Sequence, residues 1–137
     1  MATANVVNAI TNGIIGCAIK VHRELGPGLL HSVYQPCLAH DLLQAGYKVE
    51  VEKPIALKYG EVQSICAFRV DIMVEDAVLV EVKCVDTIAP IHRAQLLTYL
   101  RLTGCAVGLI LNFNVPVLRE GIVRIANNFR GEDGQLR

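Results

Sequence analysis

The chain has 137 residues, of which 53% are hydrophobic and 19% charged, and it contains no tryptophan. This length fits one domain around a single core, and the composition excludes a disordered protein. The 13 basic and 13 acidic residues give a formal net charge of zero. That balance argues against a general nucleic-acid coat protein, but not against an enzyme that meets phosphate through a metal ion.

The sequence also predicts a soluble cytoplasmic protein that does not contact a membrane. The longest apolar runs, such as residues 105–111, are too short to cross a bilayer, and the N-terminus lacks the basic region of a signal peptide. No CxxC pair occurs among the cysteines, so we expect a reducing compartment with neither a disulfide framework nor a zinc site. The five cysteines lie at positions 17, 37, 66, 84 and 105.

Helical spacing dominates the first 45 residues. Apolar residues recur every three or four positions over residues 5–25, which predicts a first helix. The turn LGPGLL at 25–30 ends that helix, because Gly and Pro both interrupt helices. A second helix is predicted over about 29–45, with Gly46 as its C-terminal cap and Pro36 as a kink or early stop.

Strand patterns follow, in two pairs. Residues 47–53 alternate apolar and charged side chains, and 55–59 predicts another strand before a turn near Gly60. Residues 65–74 and 78–84 predict a hairpin joined by a short turn.

The last third of the chain predicts a crossover. Pro90 begins a helix that Gly104 stops, and residues 105–111 predict a strand buried on both faces. Residues 115–125 predict an edge strand interrupted at 120–121, and 130–137 predict a frayed polar tail. The order predicts an α/β fold with a mixed central sheet, because a helical crossover returns the chain parallel to an earlier strand.

Three charges lie inside the apolar runs of the hairpin DIMVEDAVLVEVK: Asp71, Glu81 and Lys83. A charge in a strand core is costly unless it is paired or binds a ligand. Side chains alternate along a strand, so Glu81 and Lys83 project to the same face. A three-residue turn at 75–77 places Asp71 opposite Glu81, whereas a turn one residue longer or shorter does not.

Two adjacent carboxylates repel each other unless a cation lies between them. One alternative is an internal ion cluster in which Lys83 is that cation. The other is a divalent metal, because Mg²⁺ binds one or two carboxylates together with waters and phosphate oxygens. Lys83 would then be free to steady an attacking water or the developing phosphate charge. The residues alone leave both alternatives open.

The spacing from Asp71 to Glu81-Val82-Lys83 matches the D…ExK signature of the PD-(D/E)XK nuclease superfamily. The following stretch AQLLTYL carries Gln95 and Tyr99 one helical turn apart, and it resembles the QxxxY element of RecB-like branches. Over about residues 14–125 the chain is similar to the GxxExxY family, a set of small, largely uncharacterised bacterial and archaeal proteins. The similar segments are the hairpin, VHRELGPGLLHSVYQ, AQLLTYLRLTG and GLILNFNVPVLREGIVRI.

The resemblance implies one restriction-endonuclease-like domain over 1–137, with an αβββαβ core and metal-dependent hydrolysis of DNA or RNA. It implies that Asp71, Glu81 and the backbone carbonyl of Val82 hold Mg²⁺ or Mn²⁺. Lys83 would orient or help deprotonate the attacking water. Gln95 and Tyr99 would contact the substrate phosphate or Lys83, unless they only satisfy hydrogen bonds beside the sheet.

The namesake motif departs from the family pattern. Its Gly, Glu and Tyr positions are Gly28, His31 and Tyr34, and a further acid after the Tyr is Gln35. In related nucleases an acid on this helix helps hold the metal or its waters. His31 suits Mn²⁺ better than Mg²⁺ as a neutral imidazole ligand, and the alternative is a solvated or capping histidine.

Two non-catalytic alternatives stay open. One is a degenerate nuclease fold that binds nucleic acid or a protein partner without cleavage, which the loss of the motif Glu favours. The other is a structural or interaction module that assembles through the apolar region 105–125, where a predicted edge strand can pair with that of a second copy to form a homodimer. Gly26-Pro27-Gly28 predicts a turn between helices rather than a phosphate-binding loop. We expect the remaining histidines at the surface: His22, His40 and His92.

Overall fold

A computed structural model describes residues 3–127, without the side chains of residues 64–67. The predicted polar tail at 130–137 lies outside the described residues. The elements, in chain order, are α1 (Ala4–Leu25), α2 (His31–Gln44), β1 (Val49–Tyr59), β2 (Val62–Val74), β3 (Val78–Lys83), α3 (Pro90–Thr103), β4 (Val107–Asn112), a 3₁₀ turn (Leu118–Gly121) and β5 (Ile122–Ala126).

The strands form one five-stranded mixed sheet in the order β1-β2-β3-β4-β5. Neighbouring strands are antiparallel except β3 and β4, which are parallel and are connected through α3. A parallel pair needs such a crossover, because a tight turn can only reverse the chain. The predicted α/β fold, with a mixed sheet flanked by helices and an αβββαβ order, is therefore confirmed.

Helices cover both faces of the sheet, and each face has its own apolar cluster. The first cluster joins α1 and α2 to the sheet through residues such as Ile14, Leu38 and Val80. The second joins α3 to the opposite face through residues such as Leu96 and Ile110. All six residues of β4 are buried, which confirms the prediction of a strand covered on both faces.

Helix α1 is long and apolar enough to cross a membrane by length and composition. Polar residues interrupt the apolar runs of this segment, so its sequence contains no long continuous apolar stretch. The apolar stripe of α1 packs against the sheet, as the core helix of a globular domain does. The buried apolar residues of the stripe are Val7, Ile10, Ile14, Ala18 and Val21.

Three predicted elements differ in the structure. The two short strands predicted around Pro54 are one strand, β1, because this strand lies at the sheet edge and tolerates a missing backbone N–H. The predicted edge strand at 115–125 is shorter, because a 3₁₀ turn replaces part of its first half. Pro36 does not interrupt α2, which continues to Gln44.

The loop between α1 and α2 sets where α2 begins. Gly28 has a φ of 92°, a conformation that glycine adopts without steric strain. The hydroxyl of Tyr34 donates a hydrogen bond to the carbonyl of Gly26 and accepts one from the N–H of Leu29. Tyr34 also stacks on Phe113, with ring centroids 4.5 Å apart. These contacts fix the first turn of α2, and with it the position of His31.

Candidate metal centre

The β2–β3 hairpin has the register that brings the two buried acids together. Val74 pairs with Val78 and Ile72 pairs with Val80, so the turn contains the three residues 75–77. This confirms the three-residue turn, and continuing the register places Asp71 opposite Glu81.

Beyond Ile72 and Val80 the carboxylates replace the regular backbone ladder. The N–H of Asp71 donates to Glu81 Oε2 at 2.9 Å, and the N–H of Val82 donates to Asp71 Oδ2 at 2.8 Å. Each acid therefore binds the backbone of the opposite strand. This crossed pair of hydrogen bonds holds both carboxylates in the gap between β2 and β3.

Because both acids are buried, their negative charges are costly unless a cation or a proton balances them. Asp71 is 9% exposed and Glu81 is 7% exposed. Burial, and then the negative charge of Asp71, raise the pKa of Glu81 from 4.5 to about 8. The charge of Lys83 lowers this pKa but does not offset the two larger effects. Without a cation, the pair therefore retains a proton at neutral pH.

The carbonyl of Val82 faces the same gap. The N–H and C=O of one strand residue point toward the same neighbouring strand, and the Val82 N–H points to Asp71. The carbonyl of Lys83 points the other way and accepts a hydrogen bond from the N–H of Phe113 at 2.9 Å. The backbone alternation thus directs the Val82 oxygen, and not that of Lys83, toward the acids.

His31 contacts the acid pair directly. Its Nε2 donates to Asp71 Oδ2 at 2.9 Å, across 40 positions of sequence. The His31 side chain is 43% exposed, whereas that of Asp71 is 13% exposed, so the imidazole covers the open side of the acid. It does not cap α2, whose N-cap residue is Leu30. His31 therefore lies at the candidate centre.

Lys83 is half-buried at the end of β3. The ion pairs among the described residues are formed by Lys20, His31, Lys48 and Lys53, so Lys83 takes part in none of them. The proposed internal cluster in which Lys83 pairs with the acids is therefore not the arrangement seen. Lys83 acts on Glu81 through its charge, and its ammonium group stays available for another partner.

The elements flanking Asp71 contribute features that the sequence did not reveal. Gln35 is 7% exposed, and its Oε1 is buried without a hydrogen-bond partner among the residues described. Across β1 and β2, Glu52 has a φ of 53° and interrupts the pairing opposite Asp71. Gln35, Glu52 and His31 all line one cavity of about 510 Å³. A strained backbone and an unsatisfied polar atom beside buried acids are typical of functional sites.

Gln95 and Tyr99 are the two site residues predicted on α3. The charges of the acid pair act on the Tyr99 hydroxyl. Tyr99 is 6% exposed and packs against Phe68, with ring centroids 5.1 Å apart. Burial, and then the charges of Glu81 and Asp71, raise the pKa of the Tyr99 hydroxyl. Gln95 is exposed on the same helix. The structure therefore associates Tyr99 with the acid pair and leaves Gln95 at the surface.

The expectation of three surface histidines is wrong in part. His22 is 6% exposed, and its Nε2 donates to the carbonyl of Val115 at 2.9 Å, because the end of α1 packs on the segment after β4. His92 is half-buried, and its Nδ1 accepts a hydrogen bond from the N–H of Ala89 at the start of α3. His40 is exposed as predicted.

The donor set at the gap fits a hard divalent cation. Asp71, Glu81 and the Val82 carbonyl offer oxygen, and the hydrogen bonds above use only one oxygen of each carboxylate. Within residues 3–127, no group of three or more His, Cys, Asp or Glu side chains is placed to hold a metal ion by itself. Two carboxylates with waters and substrate oxygens are nevertheless the usual arrangement for Mg²⁺.

A mixed sheet with an acid pair where two antiparallel strands separate, followed by a helical crossover, defines a nuclease-type α/β protein. A family model described as the PD-(D/E)XK nuclease superfamily matches residues 8–125. The chain therefore belongs to the PD-(D/E)XK nuclease superfamily, whose members generally use divalent metals and act on nucleic acids. No match was found among curated proteins or among solved structures.

Proposed function

We propose that this protein is a nuclease that hydrolyses phosphodiester bonds of DNA or RNA with a divalent metal. The observation that carries this proposal is the crossed pair of hydrogen bonds in which the N–H of Asp71 donates to Glu81 and the N–H of Val82 donates to Asp71. It fixes two buried carboxylates side by side, at the position where this superfamily has its D…ExK signature. Fixed oxygens lower the cost of reorganisation when a cation and a phosphate arrive.

Asp71, Glu81 and the Val82 carbonyl are the proposed ligands of Mg²⁺ or Mn²⁺. A metal bound there would polarise the scissile phosphate and lower the pKa of a bound water. The carboxylates bind metal only when they are deprotonated, so Glu81 must release the proton that its raised pKa retains. Metal binding at this site is therefore expected to release a proton and to weaken at low pH.

Lys83, together with Gln95 and Tyr99 of α3, would act on the reacting phosphate or on the attacking water. The Lys83 ammonium, which forms no ion pair with the described acids, orients the attacking water, and its positive charge favours the loss of a proton from that water. The hydroxyl of Tyr99 is available to donate a hydrogen bond near the acids, and the exposed amide of Gln95 can reach a substrate phosphate. The contacts of Tyr99 and Gln95 would stabilise the negative charge that develops in the transition state.

Within the superfamily, we assign the chain to the GxxExxY family with His31 in place of the motif Glu. The contact of His31 with Asp71 supports a place for this residue in the site. An imidazole ligand favours Mn²⁺ over Mg²⁺. We also propose a cytoplasmic location, and a homodimer formed through the β5 edge that light scattering would detect.

The same contact supports a second candidate function. The hydrogen bond from His31 occupies an oxygen of Asp71 and so competes with a metal for that carboxylate. The protein would then bind nucleic acid or a protein partner without cleavage. Cleavage requires that a bound metal either displaces His31 from Asp71 or takes His31 as a ligand. Binding without cleavage requires that neither occurs.

The test is cleavage of labelled single- and double-stranded DNA and RNA with Mg²⁺, Mn²⁺ or EDTA. We expect metal-dependent cleavage that Asp71→Ala and Lys83→Ala each reduce by at least about 100-fold. Lys58→Ala is the matched control, because Lys58 is an exposed lysine of β1, outside the proposed site. Cleavage that survives both site variants would reveal a contaminant. No cleavage of any substrate would exclude the nuclease and favour the second candidate.

A further inference from the structure

A second cavity, of about 370 Å³, lies between the end of α1 and the segment that follows β4. Among the residues that the structure describes, two arginines line it and no acidic residue does. Its volume is within the range of about 300–1,000 Å³ that is usual for small-molecule sites. The lining residues are Ile19, His22, Arg23, Gly26, Pro27, Pro116, Val117, Leu118 and Arg119.

The walls of this cavity are held in place by buried contacts. The bond from His22 Nε2 to the Val115 carbonyl ties α1 to the segment after β4. The 3₁₀ turn approaches the end of β4 so closely that a Cβ at Gly121 would overlap the carbonyl of Asn112. Pro27 and Pro116 restrict the two loops further. The cavity is therefore preformed and does not require a large rearrangement to receive a ligand.

The positive charge at the cavity comes from two arginines, and no described acidic residue pairs with either of them. Arg23 and Arg119 are exposed, and neither forms an ion pair with any residue that the structure describes. Glu24 follows Arg23 in sequence but lines a different cavity with His40 and Asp41. Glu120 follows Arg119 and does not line this cavity. Two arginines that form no ion pair with a described residue thus line one pocket in a chain whose net charge is zero.

Guanidinium groups bind phosphate oxygens through paired, charge-assisted hydrogen bonds. The cavity also lies at the same edge of the sheet as Lys83. Since β3 and β4 are parallel, their C-terminal ends meet, and the lining segment 116–119 follows β4. The N–H of Phe113, just after β4, donates to the carbonyl of Lys83. A nucleic-acid strand at the metal centre would run along this edge.

We infer that this cavity binds a phosphate group of a nucleotide through Arg23 and Arg119, separately from the metal centre. The phosphate chemistry follows from the two guanidinium groups. The choice of a nucleotide, rather than another phosphate ester, rests on the proposed function. The phosphate has two sources, a nucleic-acid strand or a free nucleotide, and the test distinguishes them.

Binding of labelled single-stranded DNA and RNA is measured in EDTA over a range of salt concentrations, so that cleavage plays no part. The double variant Arg23→Gln/Arg119→Gln removes two cationic contacts. The slope of log affinity against log salt should fall by about 1.4, which equals about 25-fold weaker binding at about 0.1 M salt. Arg101→Gln, an exposed arginine of α3 outside the cavity, should leave both values unchanged.

A parallel calorimetric titration with AMP tests the free nucleotide. AMP binding that the double variant abolishes, with strand binding unchanged, would identify the free nucleotide as the source of the phosphate. An unchanged salt slope together with no arginine-dependent AMP binding would overturn the inference. Strand binding that depends on both arginines, in a protein that cuts no substrate, would support this site and contradict the nuclease. Thermal unfolding of the double variant should match the wild type, because both side chains are exposed.

Discussion

At the scale of single residues, Glu81 determines how the stability of the folded chain depends on pH and on an added cation. It is buried beside a second acid, and its backbone contact with Asp71 does not supply a countercharge. The sequence revealed this acid pair because both residues interrupt apolar runs of a hairpin. It did not reveal the unsatisfied oxygen of Gln35 or the positive φ of Glu52, since both arise from packing between separate elements.

Glu81 predicts a specific dependence of stability on pH. In EDTA, the free energy of unfolding should fall as the pH rises from about 4.5 to about 8, because folded Glu81 keeps a proton that the unfolded chain releases. Each unit of pKa difference corresponds to about 1.4 kcal/mol. Glu81→Gln carries no titratable group, so it should remove most of this decline. Thermal unfolding across this pH range measures the effect.

The matched control is Glu61→Gln, because Glu61 is exposed in the β1–β2 turn and should not alter the profile. A Glu81→Gln variant with the same decline as the wild type would show that another group retains the proton. Addition of Mn²⁺ near pH 8 should raise the free energy of unfolding of the wild type, because the cation replaces the retained proton. It should not raise that of Glu81→Gln.

At the scale of elements, α1 contains two glycines that differ only in their surroundings. A Cβ at Gly13 would overlap the hydroxyl of Tyr47, whereas a Cβ at Gly16 would meet no atom within 4 Å. We expect Gly16→Ala to raise the free energy of unfolding by about 0.5–1 kcal/mol, since alanine restricts the unfolded chain. Gly13→Ala should lower it by about 1–3 kcal/mol, because Tyr47 must move.

Chemical denaturation of the two variants with the wild type measures both effects in one helix. Equal stabilisation by the two alanines would mean that Tyr47 is not held against α1. The sequence predicted this helix from apolar spacing, yet it gave no sign of which glycine a neighbour covers. The same limit explains the errors at β1 and at residues 115–125, where sheet position rather than local pattern sets the strand ends.

For the whole molecule, the element order and the parallel crossover followed from local periodicity, whereas the hairpin register was one of the alternatives that the turn length left open. The contact of His31 with Asp71 did not follow from local periodicity, because 40 residues separate the two. The family position alone pointed to it. This contact connects α2 to the β2–β3 gap, so a change at position 31 should affect unfolding of the whole domain and its coupling to metal binding.

The variant His31→Glu tests that coupling. In EDTA its unfolding midpoint should fall below that of the wild type, because Asp71 loses the hydrogen bond from His31 and a third carboxylate joins the pair. With saturating Mg²⁺ the added oxygen ligand should enlarge the metal-induced rise in stability, and each tenfold gain in affinity adds about 1.4 kcal/mol. Ser32→Glu, an exposed acid in the same helical turn, controls for the helix dipole. If both glutamates gave the wild-type metal increment, position 31 would not face the metal, and His31 would act only as the partner of Asp71.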